Sequence, residues 1–360
     1  MLGTMSMGVR LPIIRDTDDI EQIVVDNIIN SSDESNIPIE DGDIIGITES
    51  IVARANGLYV DIEDVAESVR KKFNNSEKVY VLWPIYSRNR FSLILKGIAK
   101  AVKDVVVVLN NGKDEVGNEL VNQFTGVDIV EFYTNLIKDA GARPFILKNG
   151  VKELTHQFAN DLSNGKKLNI IHAECHPKEI GLKNSENTKE ITLAELCDDV
   201  NPDFGLLGSN KASENELKLF PTVELAKRVC LNVQRMIKEE TGKHVEVLVY
   251  GDGCFKDPVG GIWEFADPVS APYYTDGLEG TPNELKFKYI VDNDDVDETT
   301  LKEKIKSKQQ IISDNKMQAQ GTTPRMYRDL VASLCDLTSG SGDKGTPVIW
   351  IKNYFKNYAD

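Results

Sequence analysis

Cysteine is scarce and scattered in this chain: Cys175, Cys197, Cys230, Cys254 and Cys335 are odd in number, far apart and contain no CxxC pair. That excludes a secreted disulfide scaffold and fits reduced thiols, so a cytoplasmic location is expected. Long apolar runs are lacking too. The opening MLGTMSMGVRLPIIRD holds no stretch long enough for a signal peptide, and no later run approaches a membrane span, so no membrane partner is expected. No basic stripe interleaved with aromatics is found, and the net charge is −15, which repels a polyanion and argues against a nucleic-acid partner. The chain has no internal repeat, no GxxxxGK[ST] phosphate loop and no HExxH zinc motif.

What is present is a 360-residue globular composition, 41% hydrophobic, with room for two domains. Short apolar runs bounded by polar residues or glycine predict strands at Ile44–Thr48, Tyr80–Trp83, Val105–Leu109, Phe145–Leu147, Ile170–His172 and Val245–Tyr250. Helical periodicity predicts helices at Arg90–Lys103, Asp128–Ala140, Val223–Glu240, Thr299–Ile312 and Arg325–Leu337, the last followed by a glycine-rich turn and the strand TPVIWI. Such alternation indicates a mixed α and β protein. The acidic run DNDDVDET (292–299) reads as a solvated loop with N-capping carboxylates, since the glycine and ligand spacing of a calcium loop are missing.

Five stretches have residues suited to chemistry. DGDIIGITESIVARANG (41–57) carries Arg54 six residues past Thr48, a phosphate contact or a plain surface arginine. NNGKDEVGN (110–118) follows a strand and sets Asp114 beside Glu115, oxygen donors for a hard cation or a helix N-cap. In VYGDGCFKDP (249–258) Asp252 stands between glycines at a strand tip, either a tight turn or a ligand site. SGSGDKG (339–345) has glycines that let backbone N–H groups approach a phosphate, or is a bare turn. IIHAECHPKE (170–179) gathers His172, Glu174, Cys175 and His176. The preceding strand-like run and Pro177 argue against one helix through both histidines, leaving a substrate-contacting loop or a structural zinc site open.

Taken in order, LPIIRDTDDI, DGDIIGITESIVARANG, ETGKHVEVLVYGDGCFKDP and RDLVASLCDLTSGSGDKGTPVIWIK resemble the γ-glutamyl ligase family that acts on the deazaflavin coenzyme F(420). The resemblance covers residues 8–60, 105–118, 222–268 and 325–352. It implies an α+β fold of two lobes, with mixed sheets and helices and an intertwined homodimer. The ligase-like core would be residues 1–118 and 221–360, with residues 119–220 an inserted α/β subdomain. It further implies a GTP- or ATP-dependent ligase that uses Mg²⁺ or Mn²⁺ to join L-glutamate to a small-molecule carboxylate through an acyl phosphate. Asp114 and Asp252 fall at the family's metal-binding aspartates, and Glu115 is the candidate base. Leu11, Pro12, Glu49, Arg54, Asn118, Gly340, Ser341 and Gly342 fall in nucleotide-contacting stretches. Arg54 replaces a lysine, Asn118 is one residue late, and Ser341 stands where the family tends to have glutamate. After Asp252, the family's threonine and arginine are replaced by Gly253-Cys254-Phe255-Lys256. A metal-dependent phosphohydrolase or nucleotidyltransferase, or a non-catalytic nucleotide-binding protein, remain alternatives. The acceptor, deazaflavin or pterin-like, is open at this stage.

Overall fold

A computed structural model describes residues 3–82, 91–109, 129–148, 150–173, 187–251, 254–256, 263–265, 270–282, 297–306, 326–340 and 342–360. The chain opens with β1 (Met5–Val9), α1 (Ile20–Ser35), β2 (Ile44–Thr48) and α2 (Glu49–Ala55). Next come β3 (Tyr59–Asp61), α3 (Ile62–Lys72), β4 (Lys78–Leu82), α4 (Phe91–Ala101) and β5 (Asp104–Val108). Then follow α5 (Ile129–Asp139), β6 (Arg143–Leu147), α6 (Val151–Ser163), β7 (Leu168–His172) and β8 (Thr188–Thr192). Two short strands, β9 (Asn210–Lys211) and β10 (Glu216–Lys218), precede α7 (Val223–Thr241) and β11 (Glu246–Gly251). The chain closes with β12 (Cys254–Lys256), β13 (Trp263–Phe265), β14 (Ser270–Tyr274), α8 (Glu298–Lys306), α9 (Tyr327–Ser339) and β15 (Val348–Lys352). The expected strands and helices are therefore present, with ends shifted by a few residues where they are described. The fold is mixed α and β, and among the described residues no helix is long and apolar enough to cross a membrane.

The chain divides into two compact units, one made of residues 1–55, 223–251 and 268–360, the other of residues 56–222 and 252–267. The position between residues 118 and 119, where the inserted subdomain was expected to begin, lies outside the described residues.

The first unit is a five-stranded sheet in the order β1-β15-β2-β11-β14. Only β2 and β11 are parallel neighbours; β15 runs antiparallel to both β1 and β2. The period of two along each strand sorts side chains onto two faces. Ile45, Ile47, Val247, Val249, Val348 and Trp350 pack with α1 and α7. Ile44, Leu248, Tyr250, Ile349 and Ile351 meet Val331, Ala332 and Cys335 of α9 on the other face. Gly46 belongs to the α9 face, and a Cβ there would lie 2.3 Å from Cys335 Sγ, so only glycine lets the helix seat this closely. At the opposite edge Asp43, 2% exposed, accepts from Trp350 Nε1 at 2.9 Å and Lys352 Nζ at 2.8 Å, which locks the start of β2 to the end of β15.

The second unit is built on a five-stranded, all-parallel sheet in the order β6-β5-β4-β7-β8. Its inner strands KVYVL, DVVVV and LNIIH are buried almost throughout, as a sheet covered on both faces requires. The chain winds outward from β4 to β6 on one side and resumes with β7 and β8 on the other. Strand order thus reverses between β4 and β7. Lys78 and Tyr80 of β4 both donate to Asp161 of α6, Lys78 at 2.5 Å. A small sheet β3-β10-β9 and α3, capped by Asp61 and Asp64 in a reciprocal box, complete the described part together with a β12–β13 hairpin. Asp297, the first described residue of the acidic run, caps α8 by accepting from Thr300 N–H at 2.7 Å, the role expected for it.

Candidate functional site

Strand direction decides which loops of the first unit share an edge. β1 pairs Val9 with Val348, β15 pairs Val348 with Ile47, and β2 pairs Thr48 with Tyr250. The carboxyl ends of β1, β2 and β11 and the start of β15 therefore lie side by side. At this one edge the chain presents Leu11 and Pro12 after β1, Glu49 after β2, and the loop 340–347 before β15. Backbone hydrogen bonds tie these pieces together. Leu11 N–H donates to Gly345 O at 3.2 Å and Thr48 N–H donates to Pro347 O at 3.0 Å.

Each element is held for a local reason. Gly340 ends α9 in the left-handed region at φ 60°, its N–H returning to Asp336 O at 3.1 Å. Thr346 Oγ1 donates to Ser339 O at 3.2 Å, which closes the base of the loop. Gly342 opens a short 3₁₀ turn and is exposed. Glu49 is the buried first residue of α2, while Arg54 sits exposed in its last turn. Next to Arg54, Ala55 O accepts from Thr17 N–H at 3.0 Å, which fastens the β1–α1 connection to the end of α2. Tyr250, the penultimate residue of β11, points its ring to α9; burial, then the fields of Cys335 and Asp336, raise its hydroxyl well above the ordinary phenol range, so it stays protonated.

The loop follows a helix C-terminus, where the dipole is negative, so it cannot hold an anion by helix dipole. An anion at this edge would have to be met by loop N–H groups and nearby cations. Lys344 supplies one: its Nζ arches over Gly340, 2.5 Å from where a Cβ would stand, so that a side chain at 340 would displace it. This lysine was not singled out from the sequence, although it is the one basic residue in SGSGDKG. Arg10, exposed between Val9 and Leu11, is a second cation of this edge.

The structure thus brings Leu11, Pro12, Glu49, Gly340 and Gly342 to one sheet edge and leaves Arg54 exposed at the far end of α2. Gly251, the last residue of β11, ends at the same edge, and the next residue, Asp252, lies outside the described residues, as do Asp114, Glu115, Asn118 and Ser341. Of the HAECH stretch only His172 and Ala173 are described, His172 as the final residue of β7. Among the described residues no group of three or more His, Cys, Asp or Glu side chains is placed to hold a metal ion.

No curated protein matches this sequence significantly. A family model does, that of the F420-0:gamma-glutamyl ligases, and it matches residues 8–353, well beyond the stretches on which the resemblance was first seen. The matched span runs across both units. A sheet edge that joins the N-terminal Leu-Pro pair, the strand–helix step at Glu49 and the C-terminal glycine loop is thus set in a chain that belongs to the F420-0:gamma-glutamyl ligase family.

Proposed function

We propose that this chain is a nucleotide- and divalent-metal-dependent ligase that forms a γ-glutamyl amide on a small-molecule carboxylate through an acyl phosphate. The observation that supports it is the meeting of Leu11, Glu49 and the 340–345 loop at one sheet edge, where β11 also ends just before Asp252. A carboxylate and an amine do not condense in water without activation. The acceptor carboxylate oxygen attacks the γ-phosphorus, the bond to the bridging oxygen breaks, and nucleoside diphosphate leaves. The neutral amine of L-glutamate then attacks the acyl carbon, inorganic phosphate departs, and Glu115 takes the amine proton.

The loop N–H groups and Lys344 hold the phosphates, Asn118 orients the nucleotide, and the Leu11-Pro12 turn lines its site. Asp114 and Asp252 are the carboxylates for Mg²⁺ or Mn²⁺; two hard oxygen donors fit either ion, which when bound neutralises charge on the phosphate oxygens. The active form is a homodimer.

Thermal shift with GTP, ATP and GDP, each with and without Mn²⁺, tests the proposal. Stabilisation that needs both nucleotide and metal, of about 2.7 kcal/mol at a hundredfold excess over Kd, is expected for the native chain. It should be lost in Asp252→Asn and reduced in Lys344→Ala. Phosphate release that requires both L-glutamate and a carboxylate acceptor completes the assignment. Phosphate release without glutamate, or an Asp252→Asn variant with full metal-dependent activity, refutes it.

A further inference from the structure

The other end of the first unit's sheet, where β2 and β11 begin and β15 finishes, holds a cavity of about 420 Å³. That lies in the range of about 300–1,000 Å³ typical of small-molecule sites. Asp43, Asn353, Phe355, Lys356 and Lys243 line it, with Glu40 and Asp41 beside them. The five residues of β2, at about 3.3 Å each, set it about 17 Å from the edge at Glu49. Asp43 is 2% exposed, yet its side-chain hydrogen bonds, from Glu40 N–H, Trp350 Nε1 and Lys352 Nζ, all go to Oδ2. Its Oδ1 accepts none among the described residues. A carboxylate oxygen this enclosed calls for a donor, because an unmade hydrogen bond to a buried charge is costly. The half-buried Asn353 carboxamide and the exposed Lys356 ammonium likewise engage no described residue.

We propose that this cavity binds a small zwitterion, a free α-amino acid in class. Its ammonium donates to Asp43 Oδ1 and the Asn353 side-chain carbonyl, and its carboxylate meets Lys356 and Lys243. The lining carries both signs, so a simple cation is repelled by Lys243 and Lys356, and a simple anion by Glu40, Asp41 and Asp43. Part of this charge is paired: Lys352 Nζ lies 3.3 Å from Glu40 Oε2, and Lys243 Nζ 3.9 Å from Asp41 Oδ2. What remains is a buried anionic oxygen and a rim ammonium in one cavity, and a ligand with both charges satisfies both. An ammonium makes charge-assisted bonds to Oδ1, stronger than those of a neutral donor. Phe355, 37% exposed, is the apolar wall for the ligand's carbon skeleton. Among the described residues these carboxylates form no group placed to hold a metal ion. The site lies at the strand ends opposite the proposed nucleotide edge and shares none of its residues.

The test is isothermal titration of the full-length protein, without nucleotide or added metal, against the standard free amino acids, L-glutamate included. At least one should bind at one site per chain. Its N-acetyl and carboxamide derivatives, each lacking one charge, should bind about tenfold or more weakly. Asp43→Asn, which sets an amide where the carboxylate stood, and Lys356→Glu should each weaken binding by about tenfold or more. Asn353→Gly should weaken it by about two- to tenfold; glycine suits the φ of 61° at this position, so the amide is removed without backbone strain. Asp252→Asn and Lys344→Ala should bind as the native chain does, which separates this site from the nucleotide edge. Far-UV circular dichroism checks that each variant folds; if Asp43→Asn does not, Asn353→Gly and Lys356→Glu decide. A native chain that binds no free amino acid, blocked derivatives that bind as well, or affinity that falls in Asp252→Asn but not in Asn353→Gly and Lys356→Glu, overturns the proposal.

Discussion

The seat of α9 on the sheet rests on one missing side chain, and adding it back gives a measurable result. In Gly46→Ala the new Cβ meets Cys335 Sγ at 2.3 Å and Cys335 Cβ at 3.2 Å. No carbon and sulfur approach to 2.3 Å without a bond, so either the thiol rotates or the helix lifts. Cys335 is fully buried among Ile44, Leu248 and Tyr250, which leaves the thiol little room. The strain of such overpacking is about 1–3 kcal/mol. Cys335→Ala removes the sulfur and costs about 1 kcal/mol for one buried heavy atom and its small void. With the sulfur gone, the remaining 3.2 Å contact is tight but needs only a shift of a few tenths of an ångström. The double variant is therefore expected near the stability of Cys335→Ala alone, well above the sum of the two losses. Urea titration of the four proteins forms the cycle. Because α9 ends at Gly340, the single variant should also weaken the nucleotide-dependent thermal shift, and the double variant should restore it. Losses that add to within about 0.5 kcal/mol, or a Gly46→Ala protein as stable as the native chain, would refute the contact.

Two further outcomes follow from buried charges. Lys352→Met strips Asp43 of its ammonium partner and leaves a carboxylate 2% exposed, so a loss of about 3–5 kcal/mol is expected by chemical denaturation; adding Asp43→Asn should recover part of it. In the second unit, burial works to raise the Asp161 carboxyl, but hydrogen bonds from Lys78, Tyr80 and Gln157 and the lysine's charge hold it below the usual carboxylate range. A depressed carboxylate stabilises the fold above its unfolded pKa, and this contribution is lost as pH falls through the lower folded value. Lys78→Met leaves burial without its main counterweight, so the midpoint of acid unfolding should move to higher pH; an unchanged midpoint counts against the pair.

Legibility in the sequence followed burial. Ile44–Thr48 is read to the residue because a turn at Gly42 precedes an unbroken apolar run that both faces of the sheet require. The strand Met5–Val9 escaped notice: it is an edge strand, MSMGV, mostly half-exposed, and shows neither alternation nor a long apolar run. Nothing local to Asp43, beside Asp41 and Gly42, says that Lys352 reaches it from across the chain. The same distance hid Lys344, whose place over Gly340 depends on the loop's path. Leu11, Glu49 and Gly340 were found through family resemblance, because their meeting is a property of strand order. Likewise, the strands β4 to β7 were legible as apolar runs, but the half-exposed β8 and the reversal beside His172 were not.

The position of β15 has a consequence for how the protein is made. It is the last strand in the chain, yet it lies between β1 and β2, and among the described residues β1 pairs with no other strand. During synthesis at about 5–20 residues per second, β2 emerges on the order of 15–60 s before β15 can join it. For that interval the N-terminal strand has no partner and the flank of β2 stays open, while the strands β4 to β8 have all been produced and their sheet is free to form. The edge that joins Leu11 to Gly345 is among the last features to assemble. A ribosome that stalls before residue 346 would release a chain with the parallel sheet formed and an open, aggregation-prone strand in the other.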